Sequence, residues 1–151
     1  MRAFIVLTVV YIAASQAQNE QAQSPVCVRD TFLAAIQNVS ASFDQDLQKV
    51  PNNQESQYIR AMMERTFNLI SERANRTSTV LVGCGANFSC YATVLKNMNR
   101  DASGDAQRTQ KAVLLSAEKL GCDTRDLVHY NYQKLYRALR SAVKTAAGCF
   151  F

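Results

Sequence analysis

From residue 25 onward, apolar side chains recur every three or four positions. That is the repeat of a helix with one buried face. Phe32, Ile36, Val39, Phe43, Leu47 and Val50 make the first stripe. Ser24-Pro25 reads as an N-cap with proline at the first helical position, and Pro51 closes the segment. Ile59, Met63, Phe67, Ile70, Ala74, Thr77 and Leu81 predict a second, longer helix over about 54–82, stopped at Gly83-Cys84-Gly85. Phe88, Tyr91, Leu95 and Met98 point to a third over about 87–100. Asp101-Ala102-Ser103-Gly104 reads as a turn. Val113, Leu114, Ala117 and Leu120 form the stripe of a fourth helix, about 105–120, with Gly121 as its C′ residue. Asp123-Thr124 then caps a fifth, about 125–147, which buries Val128, Tyr132, Leu135, Leu139, Val143 and Ala146. No segment alternates with period two, so the expected class is all-α: a disulfide-linked bundle of about five helices.

The beginning of the chain differs. Arg2 precedes the apolar run 3–14, and Ser15-Gln16-Ala17 supplies a small-x-small site. This is the layout of a secretory signal peptide, residues 1–17, cut before Gln18. The run is too short to span a bilayer, and no later apolar run approaches that length. The product is therefore expected to be secreted and extracellular, without membrane insertion. Residues 18–24 (QNEQAQS) are polar and read as a disordered N-terminal extension. Residues 25–151 form the secreted helical domain, large enough for one core.

Secretion changes what the cysteines mean. In an oxidising compartment the five imply two disulfides and one remaining thiol. Short connections make neighbouring helices antiparallel. Five helices then bring Cys27, Cys84, Cys90 and Cys122 to one end and leave Cys149 about 35 Å away. The favoured pairing is Cys27–Cys122 with Cys84–Cys90; Cys27–Cys84 with Cys90–Cys122 is nearly as good. Cys149 is left unpaired, to bridge two chains in a disulfide-linked dimer, unless the last helix folds back and pairs it inside the domain. Asn38, Asn75 and Asn87 each open an N-x-S/T glycosylation acceptor.

The net charge is +5, one unit less once Arg2 leaves with the signal peptide. A mild excess of this kind favours acidic partners without specifying nucleic acid, which a secreted protein seldom meets. With one His and no CxxC, no metal site or cofactor is expected. His129 has acidic neighbours, Asp123 and Asp126, but no nucleophile accompanies it, so an enzyme is not expected. Lys134, Arg137, Arg140 and Lys144 recur at three- and four-residue steps on the last helix, and no acid follows Asp126. They form a basic ridge suited to an acidic extracellular protein surface, or else an ordinary solvated face. Tyr130 and Tyr136 beside it suit a protein contact. Arg60, Arg65, Arg73 and Arg76 on the second helix alternate with Glu55, Glu64 and Glu72 and read as surface pairing. Met62 and Met63 suit core filling or an adaptable pocket.

Asn87-Phe88-Ser89-Cys90-Tyr91, followed by Cys122 and Cys149, is similar to the last cysteines of TsetseEP-type domains. Those domains carry extra cysteines, and none falls near Leu47-Gln48-Lys49 here. The size, leader and helical cysteine pattern also resemble mosquito salivary proteins of the anophensin and albicin kind. That resemblance implies a non-enzymatic inhibitor whose partners are host coagulation, contact or complement proteins. Two other secreted classes fit the same architecture: a carrier of a small hydrophobic ligand held between helices, and a helical cytokine-like signal.

Overall fold

The structure, a computed structural model, describes the backbone of residues 2–150 and the side chains of residues 24–150. Four helices follow in order: α1 (Arg2–Leu47), α2 (Gln54–Val82), α3 (Phe88–Leu120) and α4 (Cys122–Ala147), with a closing 3-10 turn, Gly148–Phe150. No strand occurs among the described residues. The expected signal peptide, residues 1–17, and all but Ser24 of the expected 18–24 extension fall outside the residues whose side chains are described. Pro25 lies inside α1 rather than at its first position.

Cross-contacts fix the topology. Arg60 Nη2 donates to the Leu47 carbonyl at 2.7 Å, which caps the end of α1 from α2. Thr66 meets Thr109, and Glu55 meets Lys119, so α2 and α3 are antiparallel. Thr109 meets Tyr132, and Tyr91 donates to the Ala146 carbonyl, so α3 and α4 are too. Lys134 reaches Ser42, and Cys27 joins Cys149, so α4 runs back along α1. This is an up-down-up-down four-helix bundle.

The helix count corrects the sequence reading. Residues 101–104 are not a turn; α3 runs through them. The stripe explains why: Met98, Ala102, Ala106, Thr109 and Val113 are all buried at helical spacing. Asp101, which suggested a turn, pairs instead with Arg100 and with Arg73 of α2, and Asp105 pairs with Arg73 and Arg108. Gly104 costs a helix interior only about 1 kcal/mol, less than exposing that stripe would.

One helix fewer reverses which end each later cysteine reaches. A 33-residue α3 is about 50 Å long. It carries the chain away from Cys84 and Cys90, so Cys122 begins α4 at the far end. α4 then returns Cys149 to Cys27. The disulfides are Cys27–Cys149 and Cys84–Cys90, and Cys122 is free and exposed. The expected short loop Cys84–Cys90 is present. The Cys27–Cys122 pairing and the unpaired, chain-bridging Cys149 are both overturned, and Cys149 pairs inside the domain.

The core is otherwise the one the stripes mark, from Phe32 to Ala146. Phe88 is an exception. Expected inward, it is 51% exposed and stands edge-on to Phe150, which also packs on Tyr91. Asp123-Thr124 does not cap α4. Gly121 does, at φ 118° and with no side-chain cap bond, a conformation that favours glycine. Asn53 caps α2 with a reciprocal Asn53–Ser56 box.

Candidate functional site

α4 lies with Val128, Tyr132, Leu135, Leu139 and Ala146 in the core. Its opposite face carries the predicted site. Arg137, Arg140 and Lys144 are exposed. No ion pair of theirs is found among the described residues, whereas Arg29, Lys49, Arg76, Arg100 and Lys119 each have an acidic partner. These three are therefore an uncompensated basic ridge.

Lys134 departs from that picture. Its Nζ donates to Ser42 Oγ at 2.8 Å, approaches Asp46 at 3.5 Å and sits 4.5 Å from the Tyr130 ring centroid. It is a strut between α4 and α1. Asp46 also accepts from the buried Asn131 amide at 3.0 Å. That bond, aided by Lys134 and Lys49, holds the Asp46 carboxyl below its usual range against the opposing effect of burial. Tyr130 is 52% exposed and covered on one side by Lys134. Tyr136 is half-buried, and its hydroxyl donates to Gln110 Oε1 at 2.8 Å. The structure thus groups Tyr130, Arg137, Arg140 and Lys144 on the outside and turns Lys134 and Tyr136 to structural duty.

The glycosylation acceptors Asn38, Asn75 and Asn87 are all exposed. Asn87 also caps α3, its side chain accepting from the Cys90 N–H at 3.0 Å. His129 is exposed. Met63 is fully buried and Met62 packs against the core, so both fill it. Among the described residues no cluster of His, Cys, Asp or Glu is placed to hold a metal, and no helix is long and apolar enough to cross a membrane.

Two polar clusters escaped the sequence reading. Arg73 does not pair on the surface of α2. It reaches across to Asp105 of α3, which Arg108 also grips. Arg73 and, less strongly, Arg108 keep this buried carboxylate well below the ordinary range, and Asp105 in turn raises Arg73. One turn away in the bundle, Thr66, Thr109 and Tyr132 share a buried chain of hydroxyls, 2.8 and 3.1 Å apart. Burial pushes the Tyr132 phenol up to about 12. The signal was available: a Thr or Asp at a stripe position is a buried polar group awaiting a partner.

Between α1 and α4 lies an open groove of about 570 Å³ with a floor of Ala34, Ala35, Val39, Ala138 and Ala142. Comparison with protein-family models, with curated proteins and with solved structures finds no match to this chain.

Proposed function

We propose that this is a secreted, non-enzymatic binding protein that acts by occupying an acidic protein surface with the outer face of α4. The reading is carried by one observation: Arg137, Arg140 and Lys144 share an exposed helix face without an ionic partner among the described residues. Uncompensated charge of one sign accelerates encounter with the opposite sign and fixes register on docking. Tyr130 extends the same face with an amphipathic ring suited to protein contacts. The leader-like first seventeen residues and the disulfides agree with an extracellular setting. On the resemblance to salivary inhibitors, the partner to look for first is a host coagulation, contact or complement protein.

The test is affinity capture from vertebrate plasma and from insect hemolymph. Immobilised native protein is compared with the variant Arg137→Glu/Arg140→Glu/Lys144→Glu. The expected result is an acidic plasma protein retained by the native chain and lost by the variant, with the helical circular dichroism of the two superimposable. Equal retention by both would remove α4 from the account. A small-molecule mass released on denaturation in a native mass spectrum would favour the carrier reading instead.

A further inference from the structure

A cavity of about 500 Å³ opens between α1 and α2, with no residue of α4 in its lining. It is therefore independent of the basic face proposed above. Its floor is Phe43 of α1 and Phe67 of α2. Both belong to the core, and their rings meet edge to face with centroids 6.4 Å apart. Each helix adds one exposed carboxylate to the walls, Asp44 from α1 and Glu64 from α2. Neither carboxylate has an ion pair or a side-chain hydrogen bond among the described residues. The one cation in the lining, Arg60, is drawn instead to the Leu47 carbonyl at 2.7 Å.

The local field has one sign. Asp44 stands in the last turn of α1, where carbonyl ends concentrate partial negative charge and α1 itself supplies no basic residue. Glu64 adds a second negative charge from the facing helix, so the two walls repel one another across the cavity. An anion would be repelled by both walls. A neutral molecule would leave both carboxylates without a counter-charge. A cation with an apolar body answers the whole lining: its head meets the carboxylates, and its body lies against aromatic rings, which also attract positive charge. Ser40 and Asn68 add neutral hydrogen-bonding groups beside the carboxylates. We infer that this cavity binds a small organic ammonium, its head between Asp44 and Glu64 and its aromatic or apolar body on Phe43 and Phe67.

The probes are phenethylammonium, the neutral phenylethanol and the anionic phenylpropionate, which share one skeleton and differ in the end group. Binding is read by titration calorimetry and by backbone amide shifts of the full native protein. Phenethylammonium is expected to bind at least roughly tenfold tighter than phenylethanol, with shifts centred on Ser40, Asp44, Glu64 and Asn68. Asp44→Asn and Glu64→Gln, both at exposed positions, are each expected to weaken it at least roughly fivefold, with helical circular dichroism unchanged. Asn68→Trp fills the mouth from another exposed position and is expected to weaken binding by a similar factor. Equal binding of the three probes overturns the proposal. So does phenethylammonium binding that both carboxylate variants leave unchanged. Methylammonium binding as tightly as phenethylammonium would reduce the site to surface ion pairing and would also overturn it. If calcium binds more tightly and displaces phenethylammonium, the carboxylates form a metal site and the proposal is wrong.

Discussion

The bundle has two unlike seams. Between α2 and α3, polar groups on each side meet a partner on the other. Arg73 takes Asp105, Thr66 takes Thr109, and Lys119 takes Glu55. Between α1 and α4 the polar ties lie at the ends, in the Cys27–Cys149 disulfide and in the Lys134–Ser42–Asp46 strut with the Asn131–Asp46 bond, while core side chains of both helices pack beneath. The middle is floored by alanine and stands open. The α2–α3 seam is tied by its polar pairs, with one pocket of about 190 Å³ left between Arg76, Val80, Val94 and Asn97. The α1–α4 seam has an open groove on its outer side, and Arg137, Arg140 and Lys144 of α4 are exposed without an ion pair among the described residues.

The covalent tie across the α1–α4 seam closes the longest loop in the chain, so removing it has the largest effect. Cys27→Ser/Cys149→Ser opens a loop of 122 residues and should cost about 5 kcal/mol in urea unfolding. Loss of Cys84–Cys90, which closes a separation of only 6 residues, should cost about 2 kcal/mol on the same chain-entropy grounds. A reversed order would mean that α1 is held to α4 by something other than the disulfide.

The other seam is tested at Asp105. Arg73→Met strips the main partner from a carboxylate that is 4% exposed, an expected loss of about 2–3 kcal/mol. The pH dependence carries the same information with a definite sign. Asp105 and Asp46 are both held below their ordinary 3.8. Their stabilisation is therefore complete above that value and is lost as pH falls below it through the folded pKa. Arg73→Met should flatten that acid limb. An unchanged limb would show that Asp105 takes no part in it.

Smaller still is the hydroxyl chain. Tyr132→Phe should cost about 1 kcal/mol at neutral pH. The native chain holds the phenol neutral up to about 12. An unfolded tyrosine ionises near 10, so native stability should decline between those values. The Phe variant should lose that decline, as alkaline melting curves would show. Last comes the basic ridge. Charge reversal at Arg137, Arg140 and Lys144 should move stability by no more than about 0.5 kcal/mol. A larger loss would mean that the ridge belongs to the structural seam after all.

Much of this was legible in the spacing of apolar residues. Phe32 through Val50, Ile59 through Leu81 and Val128 through Ala146 fall in the core, because a strong 3.6-residue repeat dictates which face is buried. The failure was local, with a long reach. Asp101-Ala102-Ser103-Gly104 has the composition of a turn, and local composition does not reveal that Arg73, on another helix, will pair with Asp101 and with the following Asp105. The mistaken break added a helix, inverted the direction of α4 and sent Cys122 and Cys149 to each other's ends. The ridge was readable as a charge pattern. The strut made by Lys134, the Gln110 bond of Tyr136 and the α1–α4 groove were not, since each needs two helices to be placed side by side.

Every part of this comparison depends on α1 lying antiparallel to α4, and the cysteines report that arrangement. The deciding measurement is a peptide map of the native protein, alkylated without reduction and read by tandem mass spectrometry. The expected result is two linked pairs, Cys27–Cys149 and Cys84–Cys90, with the alkyl group on Cys122. A Cys27–Cys122 peptide with the label on Cys149 would restore the broken α3, reverse α4 and remove both the groove and the ridge as described.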